Sequence, residues 1–178
     1  DWADTEASHR LESELFPSLA TQKSKFVKTG DSEDRYYYYY NVHTGKSGEL
    51  YYTKEEFRKM NEEAKACGIQ VVAELDTPGH SAAYTKYVHD HQEEVIKSLV
   101  KYGYLKAADY LNADGNVKQG ASFYIHNPGN WELLALDDQS SNAQIRQNAI
   151  NARIFMKALF DEYLGGIDGI DAVFDAKN

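Results

Sequence analysis

The chain has 178 residues, 28 acidic against 19 basic, for a formal net charge of −9 at pH 7. That balance argues against a nucleic-acid backbone as partner, which needs clustered Lys and Arg, and no apolar run approaches the ~18 residues of a membrane span. The single cysteine, Cys67, rules out an intramolecular disulfide. The length suits one domain, or part of a larger one, able to bury roughly 70% of its unfolded surface. The chain starts without Met, so the lack of a signal peptide carries no weight.

Residues 1–20 give a mixed polar segment and then Leu11, Leu15, Phe16 and Leu19. Arg10 and Glu12 alternate with Leu11, as in a strand end or a short extended loop. Residues 21–50 read as an excursion, polar and charge-mixed, ending in five consecutive tyrosines, Tyr36 to Tyr40, and a turn cluster, Asn41 to Gly48. Tyr36–Val42 and Leu50–Thr53 are expected to pair as a β-hairpin. The tyrosines read either as one packed hairpin face or as an aromatic platform for a sugar ring. Gly45-Lys46-Ser47 is not a phosphate loop, because Tyr40 stands where that motif needs its first glycine.

Thr53-Lys-Glu-Glu56 has the form of a capping box. Phe57, Met60, Ala64 and Cys67 follow as one apolar stripe, which places Cys67 on a buried face, and Gly68 supplies the stop. The short run Ile69, Val71, Val72, Ala73 and Leu75 then predicts a strand buried on both faces. Asp76-Thr-Pro-Gly-His80 ends it, gathering Glu74, Asp76 and His80 at the carboxyl end of one strand, where α/β sheets and barrels bind ligands.

Residues 81–100 look helical. His89-Asp90-His91 suggests a metal site, but adjacent helical residues diverge and no third ligand follows, so a solvated helix end is expected. Residues 101–140 are loop-rich. Asn112-Ala-Asp-Gly115 is a tight turn whose acidic spacing does not fit a calcium loop. Phe123-Tyr-Ile125 is a candidate short strand, His126 to Trp131 a turn, and Leu133–Leu136 followed by Asp137-Asp138 a further barrel strand. A long helix is expected over 142–164, capped by Ser141 or Asn142 and stopped by Gly165-Gly166.

Val72-Ala-Glu-Leu-Asp-Thr-Pro-Gly-His80 resembles the "(P/A)-E-(I/F/L)-D-x-P-G-H" segment of glycoside hydrolase family 20, the β-N-acetylhexosaminidases and lacto-N-biosidases. Arg10-Leu-Glu-Ser13 with Phe16-Pro-Ser-Leu19, Tyr51 to Phe57, and Leu133 to Asp137 with Phe160-Asp-Glu-Tyr-Leu164 resemble further stretches of bacterial cell-surface members, in the same order. The resemblance implies an α/β fold: part of a (β/α)8 barrel over 1–178, with 21–50 as a loop or hairpin insertion. It also implies an extracellular or cell-surface location and a glycan with terminal N-acetylhexosamine as partner. No cofactor or metal is expected.

In the resembling enzymes the substrate's own acetamido oxygen attacks the anomeric carbon. An Asp-Glu pair in H-x-G-x-D-E orients that group and supplies the acid, on the strand after a helix like 142–164. No such context occurs here: Asp161-Glu162 lies inside the helix, and Asp175 stands where the chain approaches that strand. The expectation is therefore an incomplete catalytic domain, inactive alone, whose barrel is completed by a missing remainder or a second chain. His80 and Asp76 are the supporting catalytic candidates; Arg10, Glu12, Glu74 and Trp131 are the substrate-binding candidates. Surface ion pairing for Arg10 and Glu12, and helix capping for Asp76, are the plainer readings. The alternatives are a non-catalytic carbohydrate-binding module, or an unrelated α/β domain, which a structure without parallel strands at 69–75 and 133–136 would favour.

Overall fold

The structure is a computed structural model that describes residues 9, 11–21, 39–41, 46–48, 51–72 and 74–174. Arg10, Tyr36 to Tyr38 and Asp175 lie outside the described residues.

In chain order the elements are a 3-10 turn (Leu19–Thr21), β1 (Tyr39–Asn41), β2 (Lys46–Gly48), α1 (Lys54–Ala66), α2 (Ala82–Asp90), α3 (Gln92–Lys101), α4 (Ala107–Tyr110), β3 (His126–Asn127), β4 (Asn130–Leu134) and α5 (Ala143–Leu164). Both sheets are two-stranded antiparallel hairpins, β1–β2 and β3–β4. The expected pairing of 36–42 with 50–53 is corrected: among the described residues, 39–41 pair with 46–48. Tyr52 instead makes an isolated parallel bridge to Leu11.

α1 starts where the capping box requires. The Glu56 amide donates to Thr53 Oγ1 (3.1 Å) and the Thr53 amide to Glu56 Oε2 (2.9 Å). Gly68, at φ +73°, turns the chain away. Only the head of the expected stripe is buried. Phe57 packs edge-on to Phe174 at 5.4 Å, while Met60 and Cys67 are exposed. Cys67 is thus corrected from a core residue to a surface thiol, because nothing among the described residues covers that end of α1.

The expected strand at 69–75 is not formed. Among the described residues, no amide from Gln70 to His80 donates to a backbone carbonyl. Val71 and Leu75 pack against the core, but Ile69 is 61% and Val72 78% exposed, so burial on both faces is corrected as well. A parallel strand needs paired neighbours, and the described residues offer none.

The expected barrel strand at 133–136 is likewise replaced. Leu133 and Leu134 close an antiparallel hairpin through Asn127-Pro-Gly-Asn130, and Leu136 is exposed. Pro128 followed by Gly129 at φ +90° is the sequence of a type II turn. The candidate strand Phe123–Ile125 joins backbone pairing only at its end, where the Ala135 amide donates to the Ile125 carbonyl (2.9 Å), and amide side chains hold the rest. Gln92 Oε1 accepts from the Phe123 amide (2.7 Å) and Gln92 Nε2 donates to the Phe123 carbonyl (2.8 Å). Asn151 and Asn148 donate to the Tyr124 and His126 carbonyls at 3.0 and 2.9 Å.

The core lies between α2, α3 and α5, with the loop 11–19 laid across it. Phe16 stacks on Phe155 of α5 at 4.6 Å, and Tyr84, Tyr87, Ile96 and Leu99 surround them. α5 is capped by Asn142, whose Oδ1 accepts from the Gln144 amide (2.9 Å), and ends at Gly165 in the left-handed region, as the sequence implied. Residues 170–174 return to the end of α5: the Val173 and Phe174 amides both donate to the Tyr163 carbonyl. Among the described residues no helix is long and apolar enough to cross a membrane.

Candidate active site

Two polar clusters inside the fold account for the charged residues that the sequence placed among apolar ones. Glu162 is fully buried on the inner face of α5. Its carboxylate accepts from the Ser13 hydroxyl (2.6 Å) and the Glu14 amide (2.6 Å), and Lys54 Nζ approaches it at 2.7 Å. Asp161, its neighbour, faces Lys157 and accepts from the Tyr104 hydroxyl at 2.7 Å. The Asp161-Glu162 pair is therefore committed to holding helices and loops together. Ser13, Glu14 and Lys54 were not singled out from sequence; the available signal was an acid, Glu162, beside Leu159 and Tyr163 on an apolar helix face.

The second cluster is His9, also fully buried, between the Tyr163 hydroxyl on Nε2 (2.6 Å) and the Tyr84 hydroxyl on Nδ1 (3.2 Å). Burial drives the His9 pKa down to about 3, so the ring is neutral, and burial likewise raises both tyrosines, keeping them protonated.

The exposed candidates gather in the loop after Leu75. Thr77-Pro78 is a cis peptide and His80 has φ 52°, the left-handed region. This turn brings His80 Nδ1 to 2.7 Å from Asp76 Oδ2. A carboxylate accepts only, so Nδ1 carries the proton and Nε2 is free to accept or, when protonated, to donate outward. The pair is open to solvent, the side chains of His80 and Asp76 being 56% and 38% exposed. Glu74 is exposed beside them.

The β3–β4 hairpin is bonded directly to this loop. The Leu134 amide donates to the Pro78 carbonyl (2.9 Å) and the Ser81 amide to the Glu132 carbonyl (3.0 Å). Trp131, on β4, therefore stands on the element next to the Asp76–His80 pair, with His126 stacked on it at 3.8 Å. Glu12 lies elsewhere: its carboxylate accepts from the Lys54 amide (2.9 Å) at the start of α1, satisfying one of that helix's free donors.

A cavity of about 1100 Å3 opens between α1, residues 68–72 and residues 172–174, with Arg58, Asn61, Lys65, Val72 and Phe174 in its wall. Neither Asp76 nor His80 lines it. Among the described residues no group of three or more His, Cys, Asp or Glu side chains is placed to hold a metal ion.

Comparison with known proteins identifies one family. The model of the glycosyl hydrolase family 20 catalytic domain matches residues 2–149. No curated protein and no solved structure matches. The lack of parallel strands at 69–75 and 133–136 counts toward an unrelated α/β domain, but a match over this much of the chain decides against it. The loop bearing Asp76 and His80 thus sits within a stretch identified by its sequence as glycosidase, and the chain belongs to glycosyl hydrolase family 20.

Proposed function

We propose that this chain is part of a hexosaminidase-type glycosidase that releases terminal N-acetylhexosamine, or lacto-N-biose, by substrate-assisted retaining hydrolysis, and that it does not turn over substrate by itself. The Asp76–His80 hydrogen bond carries the reading. A carboxylate that fixes an imidazole's orientation and tautomer suits a group positioning a proton donor or a sugar hydroxyl. Glu74 and Trp131, with Arg10, complete the proposed sugar contacts; Glu12 joins them only if it leaves Lys54. Asp161 and Glu162 are held in structural contacts, which supports the reading that neither serves as the acid or the acetamido-orienting Asp. The exposed apolar residues Ile69, Val72 and Leu136 support a further reading, that a (β/α)8 barrel is completed by additional chain or a second subunit. We place the enzyme at the cell surface or outside the cell.

A second reading is favoured by the aromatic cluster of Trp131, His126 and Tyr124 beside the loop: a module that binds sugar without cleaving it. Calorimetric titration with N-acetylglucosamine, run beside a release assay on an aryl N-acetylglucosaminide, separates them. Binding without release favours the module; neither binding nor release favours the incomplete enzyme; release refutes both.

A further inference from the structure

We infer that the β3–β4 hairpin is an acid-sensitive clamp on the loop that carries Asp76 and His80, opened when His126 takes up a proton. The inference does not depend on what that loop binds.

The clamp is made of three backbone acceptors and a ring cluster. The Pro78 carbonyl accepts from Leu134, the Glu132 carbonyl from Ser81, and the Trp131 carbonyl from the Thr85 hydroxyl of α2. These bonds hold the hairpin against both the loop and the first turn of α2. On the hairpin's side, Trp131 is boxed by two imidazoles. His126 lies nearly parallel to it (3.8 Å, 19°), and His89 of α2 meets it edge-on (4.9 Å, 88°). Tyr124 closes the cluster, 5.6 Å from His126 and 6.1 Å from His89.

The cluster is built for neutral rings. His126 Nδ1 is buried and has no hydrogen-bond partner among the described residues. A neutral imidazole leaves that nitrogen unprotonated at modest cost. An imidazolium must place an N–H there with no acceptor, leaving a buried donor unsatisfied. Stacking a cation on the indole offsets only part of that cost. The charge also meets like charge. His89 bonds Asp90 through Nδ1 (2.9 Å), and Lys86 pairs with the same Asp90. The side chain that α5 bonds to this strand at His126 is the uncharged Asn148. Among the described residues no carboxylate is bonded to the His126 ring to offset its charge. Burial first, and His89 second, accordingly hold the His126 pKa below the usual histidine value. By linkage, protons bind the opened hairpin more readily than the closed one as pH falls through 6.5.

Emission of Trp131 reads the cluster directly, in a Trp2→Phe background that leaves it as the sole indole. An imidazolium stacked on an excited indole quenches it, and opening removes the stack; either way the emission changes. The expected result is a transition with its midpoint below pH 6.5, while helical circular dichroism stays constant. His126→Phe, which keeps an uncharged ring on Trp131, abolishes the transition. His89→Gln, which removes the like charge, moves its midpoint upward. Protection of the Ser81 and Leu134 amides from hydrogen exchange, corrected for the intrinsic pH dependence of the exchange rate, falls across the same pH range in the parent and not in His126→Phe. A flat emission profile, a transition that survives His126→Phe, or one that coincides with loss of helical signal overturns the inference. So does unchanged protection at Ser81 and Leu134 through the emission transition.

Discussion

Lys54 Nζ lies 2.7 Å from Glu162 Oε1, and both side chains are almost entirely withdrawn from solvent. Lys54 is the first residue of α1 and Glu162 the last buried acid of α5, so one ion pair fixes the start of one helix to the end of another. Ser13 and the Glu14 amide fill the remaining acceptor positions. Lys54 Nζ also pairs with Glu14 Oε1 at 3.0 Å. Removing Glu162 leaves the lysine one carboxylate and strips Ser13 and the Glu14 amide of their acceptor. The expected cost lies toward the lower end of the about 3–5 kcal/mol of a broken buried pair. Glu162→Ala is therefore expected to lower the urea midpoint sharply, and the double variant Lys54→Met, Glu162→Leu to recover most of the loss. A double variant no more stable than Glu162→Ala would show that the loop contacts, not the pair, carry the energy.

His9 sets the acid side of the stability profile. Its folded pKa of about 3 lies below the ordinary 6.5, so the unfolded chain binds the proton first. The stabilisation is fully present above pH 6.5, falls as pH drops, and is exhausted near pH 3, a loss on the order of a few kcal/mol. Glu94, which accepts from the Ser18 and Tyr87 hydroxyls and is held below the usual carboxylate range, joins only below about pH 4.5. Thermal melts between pH 7 and 5 are thus expected to show a steady decline in the parent that His9→Gln largely removes.

Gln92 does the work of an edge strand for Phe123. Its amide meets both the Phe123 N–H and C=O, and Phe123 is fully buried. Gln92→Ala leaves those two groups without partners and is expected to cost about 1–3 kcal/mol, measured by denaturant unfolding. An exposed helix residue of the same type, such as Gln147→Ala, serves as the reference and is expected to cost less than half as much.

Asp76 determines the tautomer of His80. With the carboxylate accepting at Nδ1, the neutral ring carries its proton there. Asp76→Ala removes the acceptor, and the His80 nitrogen resonances are expected to shift toward the Nε2–H form. An unchanged tautomer in that variant would mean that the bond does not orient the ring.

The helices were legible because their signals are local. Thr53 with Glu56, Asn142, and the glycines at 68 and 165 act within a few residues of themselves. The Asp76–His80 contact was legible for the same reason, since a Pro-Gly turn separates them by four positions. The run 69–75 was misread because a buried strand is defined by its neighbours. Apolar β-branched residues state a preference for pairing, and the described residues provide no strand to pair with. Leu133–Leu136 was misread through the same grammar: Pro128-Gly129 already specified a hairpin, and the antiparallel pairing it dictates took Leu134. Lys54, His9 and Gln92 were illegible because each is satisfied by a residue more than thirty, often more than a hundred, positions away.

We propose that Asp76 with His80 is a supporting site in this glycosidase-family chain and that the chain does not turn over substrate by itself. Incubation of the 178-residue chain with an aryl N-acetyl-β-glucosaminide, following release of the aryl group, tests this most directly. The expected rate is that of the buffer alone; release above that background by the purified chain, abolished by His80→Ala, contradicts the account.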